Sequence, residues 1–468
     1  MKPIYIFLTF LLSFQLAQAA DGHEIRIDIA EYDQDSLIVG YYFGSQTLVR
    51  DTLAKEDNGT FLLSGEEALE SGVYLLLMRP GNQIVQFLVD DKDQHFNISF
   101  EANDLVNINF EGSEENELFN GYLEYLRESR ANREPLVEKK KEEGLTEQMI
   151  QAIDDQIAAL DSEVDAKQLS IINDYPNTVT SLMIKANRPI RLPEFEGTDE
   201  EIHNMKYEFY REHYFDNIEM ANPISVRTPF FHERIDYYTK KLTYQNPDSI
   251  NRTLDYILDA VKPAPKTYQY YLSQFINDYA QSNIVGQDAV YVYLAENYYG
   301  QGRAPWVEEE NAKKIVEDAL KLKPTLIGAT APQFEAYNRA GELIGLEDVD
   351  ADYRVLFFWK PDCNHCTKAI PVVKEFYKNY KDKGVEIIAI CTRLGKDYQR
   401  CWDGIKELNI GEFINLGDQY QRSQVLKKYN ATQTPRFFII DREDKIVMKG
   451  IGAEQLDDVM EELFKRAM

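Results

Sequence analysis

A chain of 468 residues is too long for one hydrophobic core, so two to four domains are expected. Its 44% hydrophobic and 12% aromatic residues supply enough apolar surface to fold, which speaks against general disorder. A formal charge of −28 speaks against nucleic acid as a partner, because phosphate binding needs a basic face.

Residues 1–19 read as an export signal. Lys2 gives a positive start, residues 4–16 are almost wholly apolar, and Ala17-Gln18-Ala19 offers the small-x-small pattern of a cleavage site. The apolar run is short for a membrane span, and no later stretch approaches ~20 apolar residues. No cysteine lies near the cut, which points away from a lipoprotein. The mature chain is expected to begin at about Ala20 and to work in the periplasm or cell envelope.

Residues 20–112 predict an all-β, sandwich-like domain. Ile25-Arg26-Ile27-Asp28-Ile29 and Phe96-Asn97-Ile98-Ser99-Phe100 alternate apolar and polar residues, as half-buried strands do. Leu37-Ile38-Val39 and Val73-Tyr74-Leu75-Leu76-Leu77 add apolar runs, and Asn58-Gly59 and Pro80-Gly81 punctuate them as turns. Nothing in this region carries chemistry.

Residues 113–325 predict an all-α domain. Ile150, Ile153, Ile157, Leu160, Val164 and Ile171 follow a heptad seam broken at Lys167. A packed helical hairpin and a homodimer through the central helices both fit about three heptads. Two aromatic-rich stretches follow, with Tyr268, Tyr270, Tyr271 and Phe275, then Tyr291, Tyr293, Tyr298 and Tyr299. They read as ordinary helix packing, with an aromatic groove for unfolded or peptide substrates as the alternative.

Residues 326–468 predict a layered α/β domain. Strands at 355–359, 385–391, 437–440 and 445–449 are interleaved with helices at 366–381, 398–408 and 455–466. Here 21 Lys and Arg stand against 23 Asp and Glu, so nearly all of the negative charge belongs to the first two thirds. Acidic helix faces that keep a secreted protein soluble account for this, and two parts with different jobs would also give it.

All four cysteines lie in this last domain. Cys363-Asn364-His365-Cys366 stands where a strand hands over to a helix. A two-residue spacer brings two thiols together at a helix start, where free N–H groups and the helix dipole stabilise a thiolate. Such a thiolate attacks a partner disulfide, and the second cysteine resolves the mixed disulfide. A structural disulfide and a zinc site are the other readings. Zinc would need Cys391 and Cys401 as its second pair, but nine residues separate them. In an oxidising compartment Cys391 and Cys401 are expected to form a second disulfide, structural rather than an electron shuttle, with free buried thiols as a further alternative.

Around this motif the chain resembles the thioredoxin superfamily. The resemblance rests on Phe357-Phe358-Trp359-Lys360-Pro361-Asp362-Cys363, on Pro371 five residues beyond Cys366, and on Thr434-Pro435. It implies that Pro435 is cis, packs beside the Cys363–Cys366 pair and presents a backbone edge to the substrate chain. The lead-in Gly328–Phe334, Gly-x-x-Ala-Pro-x-Phe, is similar to the extracytoplasmic branch related to cytochrome c maturation reductases (the TlpA/ResA type). The N-terminal regions are similar to β and helical domains of unknown function fused to such modules.

Several positions depart from the family pattern. Phe357 stands where thioredoxin has a buried aspartate, Ala369 where the maturation reductases carry glutamate, and Asp362 where thioredoxin has its second tryptophan. His365 resembles the dipeptide of disulfide-forming oxidases, where it would favour the thiolate, or it is an untuned solvent-facing residue. The lead-in also resembles peroxiredoxins, but Lys360 takes the place of the Thr or Ser that orients the peroxide.

The resemblance implies a thiol–disulfide oxidoreductase acting on protein disulfides or thiols in the envelope. It needs no cofactor or metal beyond the Cys363/Cys366 disulfide, and it implies an electron-transfer partner in the same compartment. The alternative is an envelope binding or scaffold protein with a subordinate redox domain.

Overall fold

The computed structural model describes residues 22–467, so the expected export signal lies outside the described residues. Within them, no helix is long and apolar enough to cross a membrane. The chain forms two compact units. One holds the residues up to Leu242 together with Ala260–Thr267, the other Thr243–Asp259 together with Tyr268 onward.

The first unit opens with eight strands: β1 (His23–Ala30), β2 (Ser36–Phe43), β3 (Gln46–Ala54), β4 (Phe61–Gly65), β5 (Gly72–Met78), β6 (Gln83–Val89), β7 (His95–Glu101) and β8 (Asp104–Glu111). They make two four-stranded sheets, ordered β4-β1-β7-β8 and β3-β2-β5-β6. The two alternating runs become parallel neighbours, with Ile25, Ile27 and Ile29 opposite Phe96, Ile98 and Phe100. These side chains share one core with Val39, Leu76 and Phe87 of the other sheet, which makes a sandwich.

Helices close directly onto this sandwich. Asn116 bonds both the N–H and the C=O of Leu88 at 2.7 Å, and Val73 and Leu88 pack with Val179. The heptad-patterned stretch is the helix Glu147–Asp174, the second arm of a hairpin with Glu114–Lys140. Tyr122 of the first arm and Ile171 of the second share a cluster, and Tyr122 accepts from Gln168 at 2.8 Å. The seam is therefore turned into the hairpin. A homodimer through these helices remains a proposal.

The second unit combines the later helices with the C-terminal sheet. The helical region 113–325, read from sequence as one domain, is thus shared between two units. Its early helices bury their apolar faces on the sandwich, its later ones within the second unit. Tyr271, Tyr291, Tyr298 and Tyr299 are buried there, and Tyr293 and Tyr298 donate to Asp255 at 2.5 and 2.6 Å. These rings pack the helices together.

The C-terminal sheet holds β9 (Glu335–Tyr337), β10 (Leu343–Gly345), β11 (Tyr353–Trp359), β12 (Val385–Cys391), β13 (Ile414–Gly417), β14 (Arg436–Asp441) and β15 (Ile446–Lys449). The order is β10-β9-β13-β12-β11-β14-β15. Strand β11 lies parallel to β12 and antiparallel to β14. Val355, Phe357 and Trp359 face one apolar layer, Leu356 and Phe358 the other, as expected of a sheet covered on both faces. The lead-in from Gly328 runs along the β14–β15 hairpin, where Gly328 N–H bonds Ile446 C=O at 2.8 Å. Strands β9, β10 and β13 were not expected from sequence, because three or four residues are too few to show a period.

Candidate active site

Strand β11, buried from Arg354 onward, ends at Trp359, and the chain turns through Lys360, Pro361 and Asp362 into the helix Asn364–Tyr380. Cys363 is the N-cap of that helix, and its Sγ accepts from the Cys366 N–H at 3.4 Å. An N-cap normally uses an oxygen to satisfy one of the free amides of the first turn. Here a sulfur does so, and negative charge on it is favoured by the helix end.

Thr434–Pro435 is a cis peptide bond. It brings the Thr434 carbonyl to 3.3 Å from Cys363 Sγ, where it accepts from the thiol. The structure thus gathers Cys363, Cys366, Thr434 and Pro435 at one point, with Trp359 buried behind them. The two thiols are not equivalent. Burial pushes the Cys363 thiol up, but the Cys366 amide and thiol, the Thr434 hydroxyl and the His365 amide outweigh it, leaving the thiol more acidic than usual. Cys366 is wholly buried, and that burial raises its pKa to about 11.

The groups acting on Cys366 are its burial, the Lys360 amide, the Thr434 hydroxyl and Cys363, with no carboxylate among them. Phe357, at the position of the proton-relaying aspartate, is fully buried and stacked on Phe437 with centroids 4.9 Å apart. Ala369 is also buried. The His365 ring is exposed, and the residue reaches Cys363 through its backbone amide.

Cys391 and Cys401 are joined by a disulfide, with Cα atoms 5.9 Å apart. Cys391 is the cross-strand neighbour of Trp359, and both sulfurs are buried in the layer that holds the active-site pair. The loop they close carries Arg393 and Arg400, which both face Asp362, the residue before Cys363. Sequence reasoning noted Asp362 only as a lost tryptophan. Its ionic partners sit thirty or more positions away, beyond the reach of local pattern.

Residues 327–449 match the AhpC/TSA family, and residues 23–119 match a domain of unknown function, DUF4369. The chain is 32% identical over 144 residues to the thiol-disulfide oxidoreductase ResA of Bacillus thuringiensis subsp. konkukian (strain 97-27), spanning 30% of this chain and 78% of that protein. The chain belongs to the ResA-like thiol–disulfide oxidoreductases. A second relative, ResA of Bacillus subtilis (strain 168), is 30% identical over 120 residues, or 26% of this chain and 64% of that protein. Among solved structures, a domain of a possible thiol-disulfide isomerase from Cytophaga hutchinsonii ATCC 33406 is 27% identical. It covers 30% of this chain and 95% of that chain, with a TM-score of 0.28.

As a member of this family the protein is an oxidoreductase of thiols and disulfides. The expected fold class also stands: an all-β N-terminal domain, a helical region and a thioredoxin-like α/β domain.

Proposed function

We propose that this oxidoreductase works outside the cytoplasm, through Cys363 as nucleophile and Cys366 as resolving thiol, on disulfides of envelope proteins. The observation that carries the roles is the contrast between the two sulfurs. Cys363 caps the helix with its acidity enhanced, while Cys366 is buried with its pKa raised to about 11.

In the reducing direction the Cys363 thiolate attacks one sulfur of a substrate disulfide. The substrate S–S bond breaks, a mixed disulfide forms, and the other substrate sulfur leaves as a thiolate. That thiolate takes the Cys366 proton. The Cys366 thiolate then attacks Cys363 Sγ and releases the second substrate sulfur. The substrate gains two electrons and the protein keeps a Cys363–Cys366 disulfide, which a dithiol partner in the same compartment must reduce. Burial favours the protonated form of Cys366, so its proton must leave before it can resolve the mixed disulfide.

The export signal expected at residues 1–19 supports the location, as does the Cys391–Cys401 disulfide, a bond suited to an oxidising compartment. The test is insulin-disulfide reduction by wild type and Cys363→Ser, with Cys366→Ser used to trap substrates. Trapping through Cys363 is expected. Trapping that requires Cys366 instead would reverse the assignment.

A further inference from the structure

Thr434, whose carbonyl meets Cys363, has chain neighbours that line two clefts. Gln433 and Pro435, on either side of Thr434, open onto a cleft of about 390 Å³. Arg436 and Lys449 line it, and the segment between the helices Pro265–Ala280 and Asp288–Leu294 forms its wall. Ile284 and Val285 on that wall are exposed and give the cleft an apolar rim.

The charges inside do not cancel. The Lys449 side chain, only 5% exposed, pairs with Asp288. Arg436 also feels Asp288, but Lys449 holds that carboxylate's Oδ2, and both Asp288 Oδ1 and Arg436 Nε are buried without a hydrogen-bond partner among the described residues. Two cations thus share one anion. Burying charge costs several kcal/mol per ion unless partners complete it. In keeping with this, burial pulls both Arg436 and Lys449 below their ordinary pKa values, and Arg436 lowers Lys449 further. An incoming carboxylate would supply the missing negative charge.

The second cleft is also basic. A cleft of about 540 Å³ runs past Thr432, two residues before Thr434, and Lys360, three residues before Cys363. Lys321, Arg393 and Lys427 also line it, and no carboxylate does. Arg393 and Lys321 already have acidic partners in Asp362 and Asp318, which leaves Lys360 and Lys427 to face a ligand.

We propose that the two clefts are acid-binding subsites, and that the substrate is a polypeptide with Asp or Glu on both sides of its reactive cysteine. The inference rests on the proposed function, because it assigns the substrate class to that same sulfur. It runs against the overall charge of −28, which by itself would favour basic substrates. Local cleft charge prevails because it acts within a few ångströms, while distant charges are screened beyond ~8 Å at physiological salt.

The test uses the pre-reduced full-length protein and three peptide homodimers, each joined by one disulfide and identical except for four flanking residues. Those residues are all Glu, all Ser or all Lys. Neutral hydroxyethyl disulfide serves as a reference. The expected order of kcat/KM is Glu, Ser, Lys, with a Glu-to-Lys ratio of about tenfold or more at low salt, shrinking in 0.5 M KCl. Lys427→Glu on one flank, and Arg436→Gln with Lys449→Gln on the other, should each lower that ratio. Lys427 is exposed, so its variant tests the inference even if the sheet-borne pair disturbs folding. Turnover of hydroxyethyl disulfide with a Glu-to-Lys ratio of one or less would overturn the inference. Failure to reduce any of the four disulfides would instead overturn the oxidoreductase roles assigned to Cys363 and Cys366.

Discussion

Replacing Cys391 and Cys401 together by alanine should weaken the second unit without stopping turnover. The bond closes a loop of sequence separation 10. Releasing it returns conformational entropy to the unfolded chain, worth about 2.7 kcal/mol at 25 °C by the loop-closure relation. Both sulfurs are buried, so truncation also removes packing, and a total loss of about 3 kcal/mol or more is expected. All three tryptophans, Trp306, Trp359 and Trp402, belong to the second unit, so urea unfolding followed by their fluorescence reports on that unit alone. Insulin reduction by the same variant should persist, because the bond staples the loop that presents Arg393 and Arg400 to Asp362 and takes no part in exchange. A stability loss below about 1 kcal/mol would refute the staple. A folded variant with no turnover would show that Cys391 and Cys401 pass electrons to the active pair.

Three further outcomes are expected. In the reduced Cys366→Ser variant, iodoacetamide should alkylate Cys363 with a midpoint below that of an ordinary thiol, whereas buried Cys366 in Cys363→Ser should titrate above it; equal midpoints would remove the basis for their separate roles. The folded state holds Cys366 protonated, so its contribution to the reduced protein's stability is full below the ordinary thiol range and lost as pH rises toward about 11, which unfolding measured between pH 8 and 11 would show. Phe357→Ala, emptying a fully buried site stacked on Phe437, should cost roughly 3–5 kcal/mol in urea unfolding.

Much of the site was legible in the sequence because its signals are local. The Cys363-Asn364-His365-Cys366 spacing fixes two thiols at one helix start, and the apolar run before it can only be a buried strand. Thr434-Pro435 was legible through resemblance alone, since seventy residues separate it from Cys363. The wall residue Asp288 lies 161 positions from Lys449, and no motif links them. The division of the helices between two units was equally hidden. Their apolar periodicity states that a face is buried, but not against what.

The sequence by itself determined the alternating strands of the sandwich, the longer strands and the helices after residue 326, and the chemistry of two thiols at a helix N-terminus. Those properties follow from period, turn residues and side-chain type, which act over a few positions. Only the tertiary structure showed why the two sulfurs differ, because that difference comes from depth of burial and from the Cys366 and His365 amides that reach Cys363. It alone placed Arg436 and Lys449 beside Pro435, and it alone set Asp362 between the arginines of the Cys391–Cys401 loop. Charges are felt through space rather than along the chain, so their balance at a site exists only once distant segments have been packed together.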